Sequence, residues 1–136
     1  MCWSMGATVA MVGIGAAATV ATTLRREPPA IPAAIAYFTF MEALQVAGHA
    51  TVDRCGTPAN ETVALLSYLH IVFQPLFINA FAMQLVTRGV RPPLRVAAWL
   101  LCGASAAVML LQLYPFTWAG PCVAGTSLCG ERLCVV

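Results

Sequence analysis

The sequence predicts an all-α polytopic membrane protein: four transmembrane helices in an antiparallel bundle, with a Cys-rich outer loop and tail. Three observations carry this. Composition comes first: 60% of the 136 residues are hydrophobic and only 9% are charged, against about 45–50% and about 25% in an ordinary soluble domain. Such a chain cannot cover its own surface with polar groups. The second observation is that apolar stretches of roughly 20 residues, the length that crosses a bilayer core, recur along the chain. The third is that the breaks between them are short and rich in Arg, Pro and Gly. The same arithmetic excludes disorder and coiled coil. It also excludes nucleic-acid binding, since seven basic residues against five acidic leave +2 and no basic run.

The first helix is expected over about 4–24 and the second over about 30–52. Arg25, Arg26, Glu27, Pro28 and Pro29 separate them. Asp53 to Glu61, with Gly56 and Pro58 as turn residues, break the chain before a third helix over about 62–87. Arg88 to Arg95, with Pro92 and Pro93, precede the fourth, over about 96–114. The tail, 115–136, carries Gly120, Pro121, Gly125 and Gly130 and reads as a loop. All four helices form a single transmembrane domain. On the first helix Gly6, Ala10, Gly13, Ala17 and Ala21 form one small-residue stripe, the kind of surface that lets transmembrane helices approach closely.

Arg placement gives an orientation. Arg25 and Arg26 lie in the first connector, and Arg88, Arg91 and Arg95 in the third. The positive-inside rule puts both connectors in the cytoplasm, with the two termini and the second connector on the periplasmic or outer side. The first helix is not a signal peptide, because the Arg pair follows it rather than precedes it.

That topology sorts the six Cys. Cys2, Cys55, Cys122, Cys129 and Cys134 fall outside, and only Cys102 lies within a helix. In a bacterial envelope the outer side is oxidising, so these five are disulfide candidates, with one left over. Thiol redox chemistry or soft-metal binding is the sharper reading. The absence of C-x-x-C argues against it.

Ionisable groups at membrane depth are costly and mark function by default. On the second helix Phe38, Glu42, Gln45, His49 and Asp53 share a face. On the third, Ser67, His70, Gln74, Phe77, Phe81 and Gln84 do so, while Tyr68 and Asn79 point the other way. At 1.5 Å per residue, Gln45 and His70 lie about 12 Å below the outer boundary, and Glu42 and Gln74 about 16–18 Å. Cys102 reaches about 18 Å, and His49 lies shallower at about 6 Å. Pro75 removes a backbone donor below His70, which frees a carbonyl toward the site. The expectation is that Glu42 and His70 face each other, with Gln45 and Gln74 as supporting hydrogen-bond partners. A carboxylate and an imidazole can ligate a metal, bind one face of a haem, or pass a proton to a quinone. The plainer reading is interhelical glue, worth about 0.6 kcal/mol per hydrogen bond. His49 reads as interfacial. The sequon Asn60-Glu61-Thr62 is discounted as a chance match.

Several stretches together resemble a family of uncharacterised bacterial multi-pass inner-membrane proteins. They are Met1-Cys2-Trp3-Ser4; Tyr37-Phe38-Thr39 with Met41-Glu42-Ala43-Leu44-Gln45; Val52-Asp53 with Cys55-Gly56, Pro58 and Asn60; Tyr68-Leu69-His70-Ile71 with Phe73-Gln74-Pro75; Phe77-Ile78-Asn79; Gln112-Leu113-Tyr114-Pro115-Phe116; and Leu128-Cys129-Gly130-Glu131-Arg132-Leu133-Cys134. The resemblance covers essentially the whole chain. It implies that Glu42, Gln45, His70 and Gln74 belong to the family motifs and that His49 departs from them. It also implies that this chain is an N-terminal part or a shortened member, and it assigns no chemistry.

The expected function is a membrane redox or cofactor-binding protein with an intramembrane Glu/His site. One alternative is a quinone-linked thiol-disulfide oxidoreductase. Another is a transporter, channel or accessory subunit. The expected partners are the bilayer and either a membrane subunit or a second copy.

Overall fold

A computed structural model describes residues 4–54, 56–86 and 89–112, and the backbone of 124–125 and 134–135. Four helices account for nearly all of this: α1 (Met5–Leu24), α2 (Ala30–Thr51), α3 (Pro58–Leu85) and α4 (Pro92–Leu111). Each is long and apolar enough to cross a membrane. Two two-residue strands, β1 (Ala124–Gly125) and β2 (Cys134–Val135), pair antiparallel in the tail with Gly125 opposite Cys134. The loop expected there therefore contains a short ladder. Cys2, Cys55, Cys122 and Cys129 lie outside the described residues, as does the disulfide expectation attached to them.

Both ends of α1 are closed locally. The Ser4 hydroxyl accepts from the Ala7 N–H at 3.4 Å. At the other end Arg26 adopts φ 56°, and the N–H groups of Arg26 and Glu27 donate to the Thr23 and Thr22 carbonyls. That is the Schellman pattern, which satisfies carbonyls a helix end leaves open. Thr hydroxyls along α1 and α2 donate to carbonyls one turn back, Thr19 to Gly15 and Thr39 to Ile35, each at 2.8 Å. Such bonds let Thr sit in an apolar medium without an unmet donor.

α3 and α4 each begin about four residues earlier than the sequence pattern implies. Pro58 and Pro92 open these helices. Proline breaks a helix interior but suits the first turn, where its missing N–H has no intrahelical partner in any case. Thr57 caps α3 by accepting the Asn60 N–H. The Asn60 side chain, fully buried, donates back to the Thr51 carbonyl at 3.0 Å and so clips the end of α2 to the start of α3. Its amide is committed to the fold, a physical reason to disregard the sequon.

The principal interfaces lie between sequence neighbours: α1 on α2, α2 on α3, α3 on α4. The helices form an up-and-down array, and much of their apolar surface, Leu94, Leu100, Leu101 and Leu111 among it, is exposed. Such a surface suits lipid. The small-residue stripe of α1 is not the packed face. Gly6, Ala10, Gly13, Ala17 and Ala21 are all exposed, and a Cβ on Gly6 or Gly13 would meet nothing within 4 Å. Close approach occurs instead at Gly15, against Thr39 of α2. An Ala-rich helix carries more than one row of small residues, and residue size alone does not say which row the partner helix uses.

Candidate functional site

Tyr37 of α2 organises the α2–α3 interface. Its ring stacks on His70 at 3.8 Å and 17°, and on Phe77 at 3.8 Å and 11°. His70 and Phe77 are seven residues apart on α3, two turns along one face, so Tyr37 is inserted between them. Its hydroxyl donates to the His70 backbone carbonyl. The Phe40 ring lies 6.1 Å from the imidazole, tilted by 45°. His70 is consequently 4% exposed.

Neither ring nitrogen of His70 has a hydrogen-bond partner. Among the other buried side-chain atoms in that condition is Oε2 of Glu42. A neutral imidazole carries one donor and one acceptor, and leaving such groups unmet costs about 1–3 kcal/mol each. Buried orphans of this kind in a native fold call for a specific explanation, with redox or catalytic roles among them.

The sequence-selected residues divide between two neighbouring places. His70, with buried Ser67 on the same helix, belongs to the α2–α3 interface. Glu42 lines a groove of about 300 Å³ between α1 and α2, with Ile35, Phe38 and Thr39 on its own helix and Met11, Ile14, Gly15 and Ala18 opposite. Gln45 is buried on α2, and Gln74 is partly buried on α3. The expectation that Glu42, Gln45 and Gln74 hydrogen-bond to His70 is not met, because its ring nitrogens bond to nothing. The cause is the stack: Tyr37 holds the ring face-on, and no amide or carboxylate reaches its edge. His49 is half-buried near the end of α2.

Pro75 leaves a different carbonyl open from the one that the site uses. Lacking an N–H, it cannot donate to the Ile71 carbonyl. The carbonyl that receives an outside donor is the preceding one, of His70, and the donor is Tyr37. On the opposite side the Cys102 thiol of α4 donates to the Pro75 carbonyl at 3.5 Å, and the Tyr68 hydroxyl donates to the Met109 carbonyl at 2.8 Å. The thiol at a matching depth is thus an α3–α4 tie.

Tyr37 is the residue sequence reasoning missed. It sits one position off the Phe38–Glu42–Gln45 row, contacts α3, and shares a helical row with Leu44 and Gly48, which are buried. The available signal was that second row, seven residues from Tyr37 to Leu44.

A family model described as a family of unknown function (DUF5765) matches residues 6–136, and the chain belongs to that family. No protein with a curated description matches it, and no solved structure does.

Proposed function

We propose that this member of a family of unknown function is a membrane redox or cofactor-binding protein whose cofactor is engaged at Glu42 and His70, with Gln45 and Gln74 as neighbouring amides on the same helices. One observation supports this above the rest. Two ionisable side chains lie within helices long and apolar enough to span a membrane, and both His70 ring nitrogens and one Glu42 oxygen are buried without a partner. Intramembrane ionisable residues are retained against a cost, which is the physical ground for assigning them function.

The donor set discriminates among cofactors. A metal ion requires about three protein ligands even in an open site, and no group of three His, Cys, Asp or Glu able to hold one occurs among the described residues. A haem needs one axial nitrogen, which His70 has, but both its ring nitrogens are buried in the α2–α3 interface, and a four-ring macrocycle would have to part the helices to reach them. A quinone needs only hydrogen-bonding partners for its oxygens, which an imidazole and a carboxyl supply. In that case Glu42 would offer a ring oxygen a hydrogen bond or a proton from the α1–α2 groove, and His70 would be the second titratable group, across α2 in the α2–α3 interface. The group itself supplies the electron-accepting chemistry. The test is the amount of cofactor carried by His70→Gln and Glu42→Gln relative to the parent. These substitutions keep hydrogen bonding and remove ligation or proton transfer.

The orientation follows the Arg distribution, in a bacterial inner membrane with both termini outside and the connectors after α1 and α3 in the cytoplasm. Cys2, Cys55, Cys122, Cys129 and Cys134 then share an oxidising side. A disulfide from Cys55 to the N-terminus or tail would add about 3–4 kcal/mol. Labelling of intact cells with a membrane-impermeant maleimide should reach a Cys added to the tail and miss one added between Arg88 and Arg95. The reverse pattern overturns the orientation, and non-reducing peptide mapping that finds every outer thiol reduced overturns the disulfide.

A further inference from the structure

The groove between α1 and α2 faces outward from the helix array. Ile14, on its lip, is 63% exposed. Its lining is apolar apart from Thr39, whose hydroxyl already donates to the Ile35 carbonyl, and Glu42. At about 300 Å³ it stands at the lower end of ligand cavities, about 300–1,000 Å³. That is room for a single substituted ring and not for a four-ring macrocycle. Glu42 lies nine residues from the end of α2 at Thr51, or about 14 Å of helix, near the middle of a core about 30 Å thick. The occupant therefore arrives through hydrocarbon, not through water.

Glu42 sets the chemistry of its head. A carboxyl accepts hydrogen bonds when ionised, and both donates and accepts when protonated. A quinone ring presents carbonyl acceptors, and its quinol presents hydroxyl donors. One carboxyl can meet either state. A phospholipid phosphodiester offers acceptors alone, so it matches the protonated carboxyl only and repels the ionised one. We infer that the α1–α2 groove binds the head of a bilayer-soluble quinone. Glu42 is hydrogen-bonded to a ring oxygen, Phe38 lies beside the ring, and the tail leaves over Met11 and Ile14 into the bilayer. The inference rests on the redox reading above and names its cofactor class.

The experiment uses the full chain in lipid nanodiscs with an azido derivative of decylubiquinone as photoprobe. Label should map to the segments 11–18 and 35–42 and be competed away by unlabelled decylubiquinone. Ile14→Trp and Ala18→Leu, which fill the groove from two points, should each weaken labelling about tenfold. Glu42→Leu should weaken it about tenfold through one lost hydrogen bond. Leu101→Trp, on the exposed face of α4, should leave it unchanged. Circular dichroism identifies any variant that fails to fold. Label on other segments, label that competitor does not remove, or label unchanged in both groove-filling variants overturns the inference. Groove labelling with no cofactor dependence on His70 retains the groove and refutes the redox reading. Cofactor lost from His70→Gln and Glu42→Gln without groove labelling does the opposite.

Discussion

Tyr37→Ala should destabilise the helix array by about 2–4 kcal/mol. In lipid the hydrophobic effect does not drive helices together, so packing and interhelical hydrogen bonds must. Tyr37 supplies both. It stacks on His70 and Phe77, each such contact being worth about 0.5–1.5 kcal/mol. Its hydroxyl bonds to the His70 carbonyl, worth about 1 kcal/mol. Tyr37→Phe keeps the stack and should cost only that last amount. Unfolding titration with denaturing detergent in mixed micelles separates the two. A silent Tyr37→Ala would mean that the stack does not fix the position of His70.

Gly15→Ala should destabilise by about 1–3 kcal/mol, against the expectation for an ordinary helix position, where Ala is better than Gly by about 1 kcal/mol. A Cβ there would fall on the Thr39 hydroxyl and lie 3.0 Å from Thr39 Cβ and 3.1 Å from its Cγ2. Rotation of Thr39 cannot relieve all three contacts, so α1 and α2 must separate. Gly13→Ala, two residues away and facing open space, should be neutral or stabilising. Adding Thr39→Ala to Gly15→Ala should restore part of the loss. The same titration reads all three variants. Equal effects at positions 13 and 15 would remove Gly15 as the point of closest approach.

The helices were legible because composition and span length follow directly from the bilayer as solvent. Their starts were less so. Pro58 and Pro92 read as breakers in a linear scan, whereas at a first turn they initiate. The ionisable members of the site were legible through rarity: Glu42 and His70 stand out in any apolar segment. Their relation was not. Periodicity places Glu42 and His70 on faces but does not give the rotation of α2 between its neighbours. That rotation turns Glu42 toward the α1 groove and Tyr37 toward α3. The stripe on α1 failed for the same reason, since interhelical rotation chose Gly15 over Gly13. Tyr37 is ordinary as a transmembrane aromatic and acquires its role only through register with His70 and Phe77.

The most direct test of an intramembrane redox site is an ultraviolet–visible difference spectrum, oxidised minus reduced, of the protein purified from its own membrane, beside His70→Gln and Glu42→Gln. The parent should show a reversible difference from a bound group. Both variants should lose most of it while retaining helical content and elution as a folded species. A parent with no reversible difference, or variants that keep it in full, would make Glu42 and His70 structural glue and contradict the account.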